Sequence, residues 1–129
     1  QTHFQLEDVT VPMGKIADLL RGIAEISEKY GVQVATFGHA GDGNLHPQFL
    51  YDGYNKEEVE RVEKAIAELF QLSIDLKGTL TGEHGIGIAK ADYMSMEHDD
   101  VEMNAMRMVK KAFDPKNILN PGKMALEVN

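Results

Sequence analysis

At 129 residues and 43% hydrophobic content, the chain is long enough for one compact core and too short for several. Its 21 acidic against 13 basic residues give a formal charge of −8, which argues against non-specific grip on a nucleic-acid backbone. The absence of cysteine removes disulfides, thiolate metal sites and cysteine nucleophiles together. No apolar run reaches the ~20 residues of a membrane helix. The chain starts at Gln1 without a Met, so its beginning is expected to be a cut end from which no targeting is read.

In chain order, Gln5 to Val11 is β-rich through Val9, Thr10 and Val11 and predicts a strand that Pro12 stops. Ile16, Leu19, Leu20, Ile23 and Ile26 recur at helical spacing between Lys15 and Tyr30, and Gly31 suits the C-cap. Val32 to Phe37 and Leu45 to Tyr51 read as strands joined through a Gly-rich turn. Pro47 marks the second as an edge position or a bulge. Asn55 is placed to cap a helix running to about Lys77, with an apolar stripe of Val59, Val62, Ile66, Leu69, Phe70 and Ile74. Gly78 ends it, and a brief strand to Thr81 follows. Two further helices are expected, Ile88 to Met94 and Asp100 to Phe113, the latter with Val101, Met108, Val109 and Phe113 toward a core. Asp114-Pro115 then breaks the chain into a loop. This alternation predicts a single α+β domain over 1–129, with a ferredoxin-like antiparallel sheet, helices on one face, and C-terminal helices and loop.

The chemistry concentrates in two segments. Phe37-Gly38-His39-Ala40-Gly41-Asp42-Gly43-Asn44-Leu45-His46 and Gly82-Glu83-His84-Gly85-Ile86-Gly87 combine imidazoles, a carboxylate and glycines. His39 and His46 stand seven apart, and on one straight strand that odd offset would put them on opposite faces. A tight turn over Gly41, Asp42 and Gly43 instead folds two strand ends onto one cavity. Two imidazoles and a carboxylate make a cation site with an open position, and Glu83 is the best third ligand. With Glu83 ligating, adjacent His84 is expected to project to the other side of its loop and to serve as a general base. The plain alternatives are a hairpin turn locally capped by Asp42, and a helix-entry turn at Glu83. His3 and His98, in unpatterned polar stretches, read as solvated. Gly82, Gly85 and Gly87 do not follow the order of a dinucleotide-binding fingerprint. The stretch from Asp114 to Lys123 is by itself an ordinary turn-rich loop.

Taken with Gly78-Thr79-Leu80-Thr81 and Asp114-Pro115-Lys116-Asn117-Ile118-Leu119-Asn120-Pro121-Gly122-Lys123, these motifs resemble the FAD-linked oxidase C-terminal domain, in the same order from about Glu7 onward. The resemblance is to the glycolate oxidase D-subunit, D-lactate dehydrogenase and D-2-hydroxyglutarate dehydrogenase branch of vanillyl-alcohol-oxidase-type flavoproteins. It implies oxidation of a D-2-hydroxy acid to the 2-oxo acid by hydride transfer to FAD, which an N-terminal domain mainly binds. It further implies a divalent metal (zinc, iron or manganese) at His39, His46 and Glu83, and His84 as the base. Glu83, His84, Gly85, Asn120 and Lys123 would lie toward the cofactor, and Asn44 and Gln48 toward the substrate. Gln48 departs from the pattern, standing where relatives of the 2-hydroxyglutarate type carry an Asn.

The chain is far shorter than such an enzyme, so alone it is expected neither to hold FAD tightly nor to turn over substrate. Its expected partners are the FAD-binding domain, further oxidase subunits and a second copy of itself. Its expected place is the cytoplasm, at a membrane only through partner subunits. Two other readings remain: a small metal-dependent hydrolase using the same ligands, and a non-catalytic ferredoxin-like assembly module.

Overall fold

The computed structural model describes residues 2–39 and 41–126. Gln1, at the expected cut end, Ala40, inside the first histidine motif, and residues 127–129 lie outside them. The chain forms two compact units, Gln1–His84 and Gly85–Asn129.

The first unit is built on strands β1 (Thr2–Leu6), β2 (Val9–Thr10), β3 (Gln33–His39) and β4 (Asn44–Asp52), with helices α1 (Ile16–Tyr30) and α2 (Lys56–Asp75). β4 is central. β3 pairs antiparallel along one side, while β1 and then β2 pair antiparallel along the other. A single antiparallel bridge, Thr10 to Thr79, adds a rudimentary fourth position beside β2. The ferredoxin-like order expected from the sequence is therefore present, with its last strand reduced from Gly78–Thr81 to one bridge.

Alternation along β4 sends Leu45 and Phe49 to one face, with Val9 paired to Leu45. These three are buried, as are Leu19, Ile23 and Ile26 of α1 and Val62, Ile66, Leu69 and Phe70 of α2. Each such side chain stabilises the fold by roughly 1.5–3 kcal/mol relative to exposure. Both helices thus cover one face through these residues, while Leu20, which helical spacing placed in the α1 stripe, lies outside the packed arc and is exposed. Gly31 closes α1 in the left-handed conformation, and the Asn55 side chain accepts from the amides of Glu57 and Glu58 to start α2. The opposite face is open: Phe4 is 67% exposed and Phe37 53%.

Several local expectations change. The first strand is interrupted at Glu7–Asp8, and Pro47 lies in the central strand, not at an edge. The two facts explain each other. The Pro47 carbonyl accepts from the Glu7 amide, so its nitrogen, which carries no hydrogen, also faces that side. The missing donor falls where the neighbouring strand has its gap. His3 is a strand residue of β1, set against the rings of Tyr51 and Tyr54, with its Nδ1 accepting from the Gly53 amide.

In the second unit, Ile88 to Met94 is wound mainly by i-to-i+3 bonds, such as Ala91 to Ile88 and Tyr93 to Lys90. Only the single turn α3 (Met94–Glu97) is α-helical. His98 is not simply solvated, since its Nδ1 lies 3.4 Å from Glu102. Helix α4 (Asp100–Phe113) opens with a capping box between Asp99 and Glu102. Its expected core residues Val101, Met108, Val109 and Phe113 are all exposed, and Met103 is the buried one. Helical spacing identifies which residues share a face, but not which face is packed. Beyond α4, Asp114 gathers the loop: its carboxylate accepts from the amides of Ile118 and Leu119 and pairs with Lys110. Lys110 holds the Asp114 carboxyl below the usual carboxylate range, assisted by those amides.

Candidate functional site

The β3–β4 turn is closed by the amides of Asp42 and Gly43, both donating to the His39 carbonyl, while Asp42 accepts from the Asn44 amide. Gly43 is required there. Its φ is +78°, and a Cβ would lie 2.0 Å from the Val11 carbonyl oxygen. The hairpin register pairs Phe37 with His46 and His39 with Asn44. Paired residues of antiparallel strands share a face, so His39, His46 and Asn44 all belong to the open side of the sheet. The expectation that the turn cancels the odd spacing of the two histidines holds.

Glu83 and His84 reach the same place on the segment after the Thr79 bridge. The His46 Nε2 lies 3.1 Å from a Glu83 carboxylate oxygen, the His84 Nε2 3.8 Å from it and the His39 Nε2 3.9 Å. The His84 ring stacks on His46 at 5.1 Å between centroids, and His39 stands perpendicular to His46 at 5.6 Å. His84 thus does not project away from Glu83; both side chains converge on His46. His46 is buried while His39, Glu83 and His84 remain exposed, so the cluster has an anchored floor and an accessible rim. A cleft of about 330 Å³ opens there, lined by Leu6, Phe37, Gly38, His39, His46, Glu83 and His84.

The donor set suits a cation. Two ligands each ~2.1 Å from a tetrahedral ion lie ~3.4 Å apart. The observed 3.1 Å and 3.9 Å separations bracket that value, and one ligand atom from each of His39, His46 and Glu83 lies within 4.8 Å of the others.

The remaining sequence candidates divide. Asn44 is buried against the Gly82 backbone, and among the described residues its Oδ1 has no hydrogen-bond partner. Gln48 is half-buried, one alternation further along the same face of β4, and outside the cleft lining. Gly85, Asn120 and Lys123 line a separate cavity of about 390 Å³ within the second unit, together with Lys110, Leu119 and Met124. The residue that sequence reasoning passed over is Asp8. It is fully buried, and its carboxylate accepts from the side chain of Thr81 and the amides of Gly82, Glu83 and His84. The available signal was an acidic pair, Glu7-Asp8, inside a β-rich run.

The first unit is thus an α+β sheet whose open face carries three imidazoles and a carboxylate around one cleft. The sequence matches the family described as FAD linked oxidases, C-terminal domain, over residues 2–124, and the chain belongs to that family. It is 55% identical over 119 residues to the glycolate oxidase subunit GlcD of Bacillus subtilis, covering 92% of this chain and 25% of that protein. Against GlcD of Escherichia coli strain K12 the identity is 40% over 116 residues, covering 90% and 23%. Against a D-lactate dehydrogenase of Archaeoglobus fulgidus it is 42% over 118 residues, covering 91% and 26%. The chain spans about a quarter of the length of these curated relatives. Among the described residues no helix is long and apolar enough to cross a membrane.

Proposed function

We propose that this domain forms the substrate side of a flavin-dependent oxidoreductase that oxidises a D-2-hydroxy acid, glycolate or D-lactate, to the 2-oxo acid. The convergence of His39, His46, Glu83 and His84 on one open cleft carries the reading. Membership of the FAD-linked oxidases supports it, as do the names of the relatives. The hydrolase and assembly-module alternatives draw no support from that family.

His39, His46 and Glu83 would hold a divalent cation, zinc, iron or manganese, which supplies Lewis acidity toward an α-hydroxyl and a carboxylate. A flavin, when bound, supplies acceptance of a hydride. The chain's own groups do the rest. His84 Nε2, on the exposed rim, takes the hydroxyl proton, and the electron pair left on oxygen becomes the carbonyl as the Cα hydride departs. His46, beneath it, keeps the His84 ring in place by stacking. Asn44 and Gln48 offer amide groups to the substrate carboxylate. Leu6 and Phe37 give the cleft an apolar wall that limits water. Gly85, Asn120 and Lys123, which line the cavity of the second unit, would contact the cofactor. Exposed Phe4 and Phe37 make the open face suited to cover by the FAD-carrying portion of an enzyme. Association with further oxidase subunits belongs to the same reading, by analogy with the subunit named in the relatives.

A chimaera tests it. This chain replaces the matching quarter of the Bacillus subtilis relative, and dye reduction is followed with a panel of D-2-hydroxy acids, with and without chelator. Turnover is expected. His84→Ala should lower it by ~10²–10⁴-fold, the usual contribution of a positioned acid–base group. A flavin-loaded chimaera whose turnover is indifferent to His84→Ala would remove the assigned base.

A further inference from the structure

Glu83 and His84 are consecutive, and consecutive side chains in extended chain diverge. Here their Oε1 and Nε2 atoms stand 3.8 Å apart and both address His46. No helix or strand imposes this, since residues 82–84 belong to neither. One buried oxygen does. Asp8 Oδ2 accepts from the amides of Gly82 at 2.9 Å, Glu83 at 3.0 Å and His84 at 2.9 Å, with the Thr81 hydroxyl as a fourth donor.

Three successive amides aimed at one atom demand a curled backbone, the concave arrangement by which a peptide wraps an anion. The donors fix the curl, and the curl fixes where the next two side chains leave the chain. Gly82 completes it from the other side, because a Cβ there would lie 2.2 Å from the Thr10 Oγ1 and 2.6 Å from the Asn44 side chain. Asp8 itself is placed by the gap between β1 and β2. The ladder ends at the Glu7 amide on the Pro47 carbonyl, and the following residue turns its carboxylate beneath the loop. An Asp8 carboxylate oxygen also lies within 4.8 Å of a ring nitrogen from each of His46 and His84.

We infer that Asp8 is the positioning residue of this site: by holding the amides of residues 82–84 it forces Glu83 and His84 to face His46 together. The inference rests on the cation reading only for its consequence in metal affinity; the geometric part stands apart from it.

The test uses the intact, isotope-labelled chain, with amide hydrogen exchange read by NMR and zinc ion binding read by calorimetry. In Asp8→Asn, exchange at Gly82, Glu83 and His84 should accelerate at least ~10-fold while amides of β4 and α2 keep their rates, as expected of a local opening. Zinc affinity should fall by ~10–100-fold, the usual effect of losing a group that orients ligands. Glu83→Gln should abolish zinc binding and leave those three exchange rates unchanged. Unaltered exchange at residues 82–84 in Asp8→Asn overturns the inference, and so does acceleration spread evenly through the unit. Should the wild type bind no zinc while Asp8→Asn still frees the three amides, the positioning role stands and the cation reading falls. If Asp8→Asn does not fold, scalar couplings across the hydrogen bonds, from these amide nitrogens to the Asp8 carboxyl carbon, decide in the wild type. Their presence supports the inference and their absence overturns it.

Discussion

Gly82→Ala is a single-methyl probe of how tightly the site is built. The added Cβ would sit 2.2 Å from the Thr10 Oγ1, 2.6 Å from the Asn44 Cγ and 2.6 Å from its Nδ2. Neither neighbour yields easily, since Thr10 is a β-branched strand residue and Asn44 is only 5% exposed. Relief to ordinary van der Waals distance needs a shift of ~1 Å, and overpacking of this kind costs about 1–3 kcal/mol. The loop is the element free to move, so Glu83 and His84 move with it. The melting temperature should fall by ~5–10 °C. In the chimaeric enzyme, a displacement of ~1 Å should lower turnover by ~10²-fold, through lost alignment and not lost chemistry. Circular dichroism melting of the intact chain and dye-reduction assays of the chimaera measure the two effects. A variant with wild-type melting and wild-type turnover would show that the loop does not sit where residues 82–84 have been placed.

Two of the ties that acid should loosen are formed by Asp114 and Glu68. Asp114 is held below the usual carboxylate range by Lys110, and Glu68 by Lys29 and then Tyr30, joining α1 to α2. A depressed folded value means the contribution is complete above the unfolded value of ~4 and is lost as pH falls through the folded one. Melting temperature should therefore be insensitive to these groups above about pH 5 and decline below about pH 4, and an NMR titration should place both carboxyl midpoints under their free-peptide values. Phe49→Ala, at a side chain only 1% exposed between sheet and helices, should cost about 3–5 kcal/mol in chemical denaturation. A loss under about 1 kcal/mol would mean that the core is not centred on β4.

What could be read from the sequence was what local chemistry determines. Asn55 starts α2, Gly31 ends α1, and the stripe of α2 packs as its spacing indicates, as does that of α1 apart from Leu20. The Gly41–Gly43 turn returns His46 to the side of His39 because a hairpin inverts direction whatever surrounds it. What could not be read depends on the partner across space. Pro47 is tolerable in a central strand only because the opposite strand is broken at that level, a fact about residues forty positions away. Asp8 looks like an ordinary solvated acid until the 82–84 amides are brought over it. The outward apolar residues of α4 show the same limit, since periodicity carries no information about which side is covered.

The meeting of Pro47 with the gap at Glu7–Asp8 also bears on how the sheet assembles. A slide of the first strand by one residue along β4 would turn its apolar set to the wrong face. A slide by two would bring an intact stretch of ladder against a nitrogen that donates nothing, leaving a carbonyl unsatisfied in the interior. The alignment seen sets Glu7 opposite Pro47 and Asp8 beside it, and so delivers the carboxylate that organises the loop beyond α2.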